Sequence, residues 1–432
     1  MKILDRDIHW GLVLSVTLTV FLGCVIIYSA VAGRMAGLGM NLAFKQLSIF
    51  LGTLLIVFFL FILDIRWIAR IAWPFYFLTL GLLVAVFFIG TSSHGAQRWI
   101  HLGFMNFQPS EFAKITIILA LAKYMSDNIE NNQKLPFIVV SVVLVLVPLL
   151  LILKQPDLGT SLTLIPILTA MLFMAGIKKR YFLTMIPFAV IPLFILGLAK
   201  SGSIPIETMR KLLFFLKTYQ QNRVLVYIDP NLDPRGLSYN LIQSKIAIGS
   251  GGLFGNGFLS GSQTQLQFIP ERHTDFIFCV LGEEWGFVGG AILLILYFFS
   301  VRNALSIADS CTDFFPKLAS IGIVTLWVTQ ILINMGMTIG LMPITGLPLP
   351  LISYGGSSLM IFMIGMGLLL NFYVNRDKEL YDWFYPEPPT QKKTWGKKFA
   401  GVGGTFVNKS SPKPLQKIFT EKHTKNNYLQ SS

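Results

Sequence analysis

The chain has 432 residues, of which 53% are hydrophobic and only 13% charged, with a formal net charge of +14 and a mean hydropathy of +0.64. A soluble domain carries about 25% charged residues, so this composition excludes a soluble globular fold and specifies an integral membrane protein. The positive balance does not point to nucleic acid, because the basic residues sit in short loops and in the tail, where the positive-inside rule places them.

A membrane span needs about 20 mostly apolar residues. Ten segments qualify: 10–32, 45–64, 68–90, 110–126, 136–154, 158–176, 181–199, 275–301, 316–340 and 350–374. The first ends in SAVAG, which resembles a signal-peptidase site, but its apolar run exceeds an h-region of about 7–15 residues; an uncleaved first helix is expected. The fourth is short and polar at both ends, and the ninth carries Asn334 and several glycines. The expected fold is an all-α polytopic membrane protein of about ten transmembrane helices. Lys2, Arg6, Arg66, Arg70, Lys123, Lys134, Lys178, Lys179, Arg180, Arg302 and Lys317 fall on one side, with eleven Lys and Arg after Tyr373. The opposite short loops hold Arg34, Lys45, Arg98 and Lys154, so both termini are expected in the cytoplasm. Cys24, Cys279 and Cys311 form no spaced framework, and neither a disulfide nor a metal site follows from them.

The connection from Lys200 to Thr274, about 75 residues between spans seven and eight, breaks the pattern of short loops and falls on the external side. A connection of that length is usually functional. It has a helical pattern over 206–227, a turn-rich DPNLDPRG, and a glycine run, GSGGLFGNG (249–257), that matches neither the dinucleotide fingerprint nor the P-loop. A flexible hinge and a ligand-binding turn are both open readings of that run. The division is therefore a transmembrane domain over 1–376 and a basic tail over 377–432 whose composition predicts disorder; KKTWGKK (392–398) within it has the lysines and tryptophan to rest on anionic headgroups.

Polar groups recur on the external side. In GAQRWIHLGFMNFQPSEFAK (95–114), Gly95, Gly103 and Pro109 mark turns, Trp99 suits an interface, and Pro109 with Ser110 can start the fourth span, Pro at N1 and Ser as N-cap. Glu111 and Lys114 share a helix face. KQPDLGT (154–160) puts Asp157 at the same depth, where the three charges can meet, either to hold a cation or as a network that only fixes packing. ITGLPLPLISYGGSS (344–358) has two helix-breaking prolines, tolerated at this depth only where backbone is buried or lines a cavity, followed by the hydroxyls of Ser353, Tyr354, Ser357 and Ser358. The stretch QTQLQFIPERHTDFIFCVLGEEWGFVG (263–289) brings Glu271, Arg272, His273, Thr274 and Asp275 to the mouth of the eighth span. Charge there is a functional-site hypothesis by default. Glu283 and Glu284 lie about 12 Å further along a continuous helix and are expected to be structural.

These motifs, in this order, with SYNLIQSKIAIGSGGLFGNGFLSG (238–261), resemble the SEDS family (shape, elongation, division and sporulation) of bacterial peptidoglycan polymerases over about residues 7–376. The likeness leans to its elongation branch rather than its division branch. The resemblance implies ten helices with a large external loop between the seventh and eighth, and glycosyltransfer from lipid II, the undecaprenyl-diphosphate disaccharide-pentapeptide. It also implies a class B penicillin-binding protein as transpeptidase partner. By motif matching Asp275 is the family's essential aspartate, and Trp99, Glu111, Lys114 and Asp157 match positions linked to activity or to an ion-pair cluster.

An α-linked donor giving a β-1,4 glycan is an inversion, so one displacement suffices. A diphosphate leaves without being protonated, unlike the alcohol of a glycoside, so one general base and cationic stabilisation are enough. Asp275 is the expected base, ahead of His273, and Lys245, Arg223, Arg272 and Lys114 are the candidate cations; a divalent cation could do the same work. The competing readings are a flippase for lipid-linked precursor, a scaffold that only docks a transpeptidase, and a division-type family member.

Overall fold

The computed structural model describes residues 7–32, 36–93, 96–101, 106–214, 216–233 and 236–378. Each of the ten expected spans has a helix: α1 Trp10–Ala32, α2 Ala36–Ile62, α3 Ile65–Ile89, α4 Pro109–Asp127, α5 Leu135–Lys154, α6 Leu158–Met174 and α7 Lys179–Lys200, then, after the long connection, α12 Ile277–Ser310, α13 Phe314–Thr338 and α14 Gly356–Val374. The connection itself holds α8 Ile206–Leu212, α9 Thr218–Ile228, α10 Leu237–Gly251 and the short α11 Ser262–Gln265. Seven helices among the described residues are long and apolar enough to cross a membrane. The molecule is a polytopic helical membrane protein.

The all-α expectation needs one correction. Between α3 and α4 the chain forms a small antiparallel sheet of β1 Thr91–Ser93, β2 Ala96–His101 and β3 Asn106–Phe107, with Thr91 opposite Trp99 and Ile100 opposite Phe107. A connection outside any helix still has to pair its backbone amides, and two hairpins do it. The expected turns at Gly95 and Gly103, Arg34, and the tail after 378 lie outside the described residues.

Helix ends are set locally. Asp64 accepts the Arg66 amide at 2.9 Å and opens α3; Asp313 accepts the Phe315 amide at 2.8 Å and opens α13. Pro109 stands at N1 of α4 as expected, but Gln108 is the N-cap, and Ser110 lies inside the helix with its hydroxyl turned to Asp157. The polar character of α4 has a physical cause. The helix packs against α3, α5, α6, α13 and α14 and is buried almost throughout, so it meets protein rather than lipid and has no need of a uniformly apolar surface.

The largest departure from a simple span is in α12. Gly286 has φ +63° and ψ −155°, which breaks the helix into a buried first part, Ile277 to Trp285, and a longer second part. Broken backbone in a membrane protein must find partners inside the protein, and the glycine run supplies them. Phe287 and Val288 donate to the Gly252 and Leu253 carbonyls at 2.9 and 3.0 Å, while Asn256 and Gly257 donate to the Glu283 and Glu284 carbonyls at 2.9 and 3.0 Å. A β-carbon on Gly251 or Gly255 would collide with the α12 backbone. The run is the patch that closes the break. The two glutamates are structural, as expected. Glu283 accepts the Gln263 and Thr264 amides at 2.7 and 2.9 Å and the Thr264 hydroxyl at 2.6 Å, and Glu284 accepts from Ser29 of α1 and Gln265.

Candidate active site

The final span was expected from residue 350, but α14 starts at Gly356 and residues 339–355 are irregular. Pro348 and Pro350 lack amides, and the free carbonyls around them are taken by side chains from other elements. The segment 344–348 becomes the point on which the polar groups converge.

Asp275 lies two residues before α12 in a turn over 271–276. Thr274 and Phe276 donate to the Glu271 carbonyl at 3.3 and 3.1 Å, and the Thr274 hydroxyl reaches the Glu271 carboxylate at 3.0 Å. The turn is then clamped from outside. Ser353 donates to the Thr274 carbonyl at 2.6 Å, the Tyr354 amide to the His273 carbonyl at 3.0 Å, and Asn334 of α13 spans the Asp275 and Leu347 carbonyls at 2.8 and 2.7 Å. Gly346 closes the arrangement. Its φ is +72°, and the place a β-carbon would occupy lies 2.9 Å from Arg223 Nη1 and 3.2 Å from Asp275 Oδ2. The missing side chain is what lets a cation and a carboxylate face each other across that point.

Arg223 comes from α9 and is 8% exposed. It donates to the Thr345 and Ile344 carbonyls and to the Tyr219 hydroxyl, with its guanidinium 4.7 Å above the Tyr219 ring. Its Nε is buried without a hydrogen-bond partner. Lys245, exposed on α10, brings its Nζ to 3.2 Å from the corresponding β-carbon position of Gly340.

The other two candidate cations are each held by other protein groups. Arg272 is buried and donates to the Ala30 and Ile269 carbonyls, tying the turn to α1. Lys114 is 0% exposed and binds Glu111 at 2.7 Å and Gln330 at 3.0 Å. His273 is half-buried, and burial pushes its imidazole below the ordinary value; the Arg272 charge adds to this and Glu271 opposes it.

The expected meeting of Glu111, Lys114 and Asp157 divides into two adjoining groups. Asp157 caps α6. It accepts from Thr160 (amide 3.1 Å, hydroxyl 2.9 Å), Ser110 at 3.0 Å and Gln108 at 3.1 Å, with Arg98 Nη1 4.0 Å away. Burial alone would raise its carboxyl, but the Arg98 charge and the Thr160 and Ser110 hydrogen bonds outweigh that and hold it below the usual range. The Glu111–Lys114 pair runs the other way, through Gln330, whose amide donates to the Pro348 carbonyl at 3.0 Å. So the ion pair on α4 and the turn carrying Asp275 are both fastened to 347–348, by Gln330 and Asn334 of the same helix. Those two amides are four apart on one face of a mostly apolar helix, a signal the sequence carried but to which no site role was given. Trp99 is half-buried on β2, and Ser357 is buried in the first turn of α14.

Among the described residues no three His, Cys, Asp or Glu side chains come together in a way that could hold a metal ion. That donor set does not fit a divalent cation held by protein groups alone.

Comparison with known proteins agrees with the motifs. The family model for FtsW, RodA and SpoVE, described as cell cycle protein, matches residues 9–378. The chain is 42% identical to the peptidoglycan glycosyltransferase MrdB of Escherichia coli K12 over 70% of this chain and 77% of that one. It is 36% identical to the peptidoglycan glycosyltransferase RodA of Treponema pallidum, over 67% and 80%. Among solved structures, a chain of a peptidoglycan synthase complex that coordinates polymerization and crosslinking superposes with TM-score 0.69 at 32% identity, covering 87% of this chain and 100% of that one. The rod shape determining protein RodA of Thermus thermophilus superposes with TM-score 0.62 at 31% identity, covering 87% and 99%. With most of its length matched by the family model and its helices laid out like those of the solved members, this chain belongs to the FtsW/RodA/SpoVE family.

Proposed function

We propose that the chain is a peptidoglycan glycosyltransferase of the elongation type, which polymerises lipid II into glycan strands for rod shape. The observation that carries the catalytic part of this reading is the convergence of Arg223 and Asp275 on the β-carbon position of Gly346. Asp275 is the general base. Its turn is fixed by Asn334, Ser353 and Tyr354, so the carboxylate is held on a rigid frame. His273 uses its carbonyl in the same clamp, and its imidazole has the Arg272 charge beside it in sequence. Arg223, partly desolvated, faces the charge that develops as the diphosphate leaves. The Glu111–Lys114–Gln330 group and the Asp157 cap hold the surrounding helices and act through positioning.

The same reading places the protein in the bacterial cytoplasmic membrane, with both termini in the cytoplasm and the 200–274 connection and active site on the external face. It pairs the chain with a class B penicillin-binding protein as transpeptidase, and gives the 377–432 tail no part in the chemistry. Purified full-length protein, with and without the transpeptidase that accompanies it from native membranes, should convert lipid II to glycan polymer, and Asp275→Asn should stop this while leaving expression and partner binding intact. Normal polymerisation by the Asp275→Asn protein would refute the assignment.

A further inference from the structure

A second basic focus lies one helical turn from the first. Tyr219, Arg223 and Tyr227 are spaced i, i+4, i+8 on α9 and form one stripe along the segment 341–346. Arg223 donates to the Ile344 and Thr345 carbonyls, and the Tyr227 hydroxyl donates to the Leu341 carbonyl at 3.0 Å. At the Tyr227 end two lysines converge on Gly340. Lys200, the last residue of α7, lays its ammonium 4.2 Å from the centre of the Tyr227 ring and donates to the Gly340 carbonyl at 3.3 Å. Lys245 of α10 stands 3.2 Å from the β-carbon position of the same glycine.

One lysine at the C-terminal end of α13 has a structural account, since a helix end needs a donor for its last carbonyls and favours positive charge. A second does not. Two ammonium groups drawn to one residue repel each other, and among the described residues neither has a carboxylate partner. Both residues are exposed. Two helices, α7 and α10, bring these charges together beside Tyr227 of α9, and such a concentration of positive charge attracts an anion.

Its place in the chain points to the anion. Lys200 and Lys245 meet one end of the segment 340–346 at Gly340, and Arg223 and Asp275 approach the other end at Gly346. In an in-line displacement the leaving oxygen lies beyond the anomeric carbon from the acceptor hydroxyl that the base holds, so the leaving group needs cationic partners further along the same wall. We propose that Lys200 and Lys245, backed by Tyr227, form the subsite that holds the leaving diphosphate of the donor; this rests on the glycosyltransferase reading and adds to it a residue, Lys200, and a direction. The acceptor 4-hydroxyl gives its proton to the Asp275 carboxylate, and its oxygen bonds to the anomeric carbon. The anomeric carbon–oxygen bond to the diphosphate breaks, its electron pair goes to the diphosphate, and the two ammonium groups take up the added charge.

The test uses full-length protein with its native partner in phosphatidylcholine vesicles, lipid II as substrate and inorganic pyrophosphate as inhibitor. Lys200→Gln and Lys245→Gln should each raise the pyrophosphate concentration for half-inhibition roughly tenfold, which is the worth of one charge-assisted hydrogen bond. Each should lower kcat/KM by a similar factor. Lys200→Arg and Lys245→Arg should restore most of both, and melting temperatures should stay put. Inhibition unchanged in the Gln variants overturns the subsite. So does a loss that follows the melting temperature and is not restored by Arg, which would make Lys200 a helix cap only. An effect that appears only when phosphatidylglycerol is added would assign the lysines to a lipid headgroup instead. If wild-type protein makes no glycan, the parent reading fails, and pyrophosphate binding measured by calorimetry on the same variants still decides whether these lysines hold a diphosphate.

Discussion

Replacing Gly346 by Ala tests the site through a residue with no chemistry of its own. Two effects add. At φ +72° a side chain enters the left-handed region, which costs about 1–2 kcal/mol. The new methyl also sits 2.9 Å from Arg223 Nη1 and 3.2 Å from Asp275 Oδ2, closer than carbon approaches nitrogen or oxygen without a shift. Arg223 is held by two carbonyls and Tyr219, and Asp275 by its clamped turn, so the strain goes into the distance between the two groups. A misplacement approaching 1 Å in such a site costs about 10²-fold in rate. The expected result is a 10- to 100-fold fall in polymerisation of fluorescent lipid II with only a small loss of thermal stability. Gly176→Ala is the control. Its φ is +76°, but its β-carbon would meet only the Asn132 amide at 3.4 Å, so it carries the backbone cost alone. If Gly346→Ala polymerises within about twofold of wild type and melts like Gly176→Ala, the reaction does not take place between Arg223 and Asp275.

Asp275→Asn should cost about 10²–10⁴ in rate, the usual worth of a general base, and His273→Gln far less, measured in the same polymerisation assay. His273 should instead show in stability. Its folded pKa lies below the ordinary 6.5, so its contribution is present above about pH 6.5 and is lost as the pH falls through the folded value. Melting curves from pH 7.5 to 5 should therefore be flatter for His273→Gln than for wild type, and an unchanged slope would remove His273 as the cause. Double-mutant cycles should give a larger coupling for Glu111→Gln with Lys114→Ala than for Lys114→Ala with Asp157→Asn, since the first two touch and the third has its own partners. Equal couplings would show one three-charge network after all.

Much of the fold was legible because membrane helices announce themselves by length and hydropathy. Each of the ten expected segments has a helix, seven of them among the described residues long and apolar enough to cross a membrane, and the boundaries of α1 and α5 fell within a residue. The misses share a cause. The break at Gly286 and the irregular 339–355 stretch are places where backbone is held by groups far away in sequence, and no local pattern records such a partner; the sheet at 91–107 is local but was hidden in a connection read only for its turns. The glycine run was visible as glycine, but that it faces Glu283 and Glu284 depends on how α10 docks on α12. The chemistry-bearing residues were identifiable by type and motif, whereas their sorting was not. Lys114 and Arg272 look like Arg223 in sequence, and only the structure shows that Arg223 lies beside the Gly346 position next to Asp275 while Lys114 binds Glu111 and Arg272 the Ala30 and Ile269 carbonyls. Lys200 carried no signal beyond ending a span.

The repair of α12 also orders the events of synthesis. The glycine run precedes the break it closes, so those four backbone bonds are within reach as soon as the helix emerges, and the first part of α12 can settle while later residues are still being made. The turn bearing Asp275 cannot finish then. Its partners lie 59 residues on at Asn334 and 79 residues on at Ser353, and Gly346, across which Arg223 meets it, comes between them. A nascent chain stopped before α13 has a folded frame and an unfastened carboxylate. The turn is fully clamped only when the segment leading into the last helix arrives.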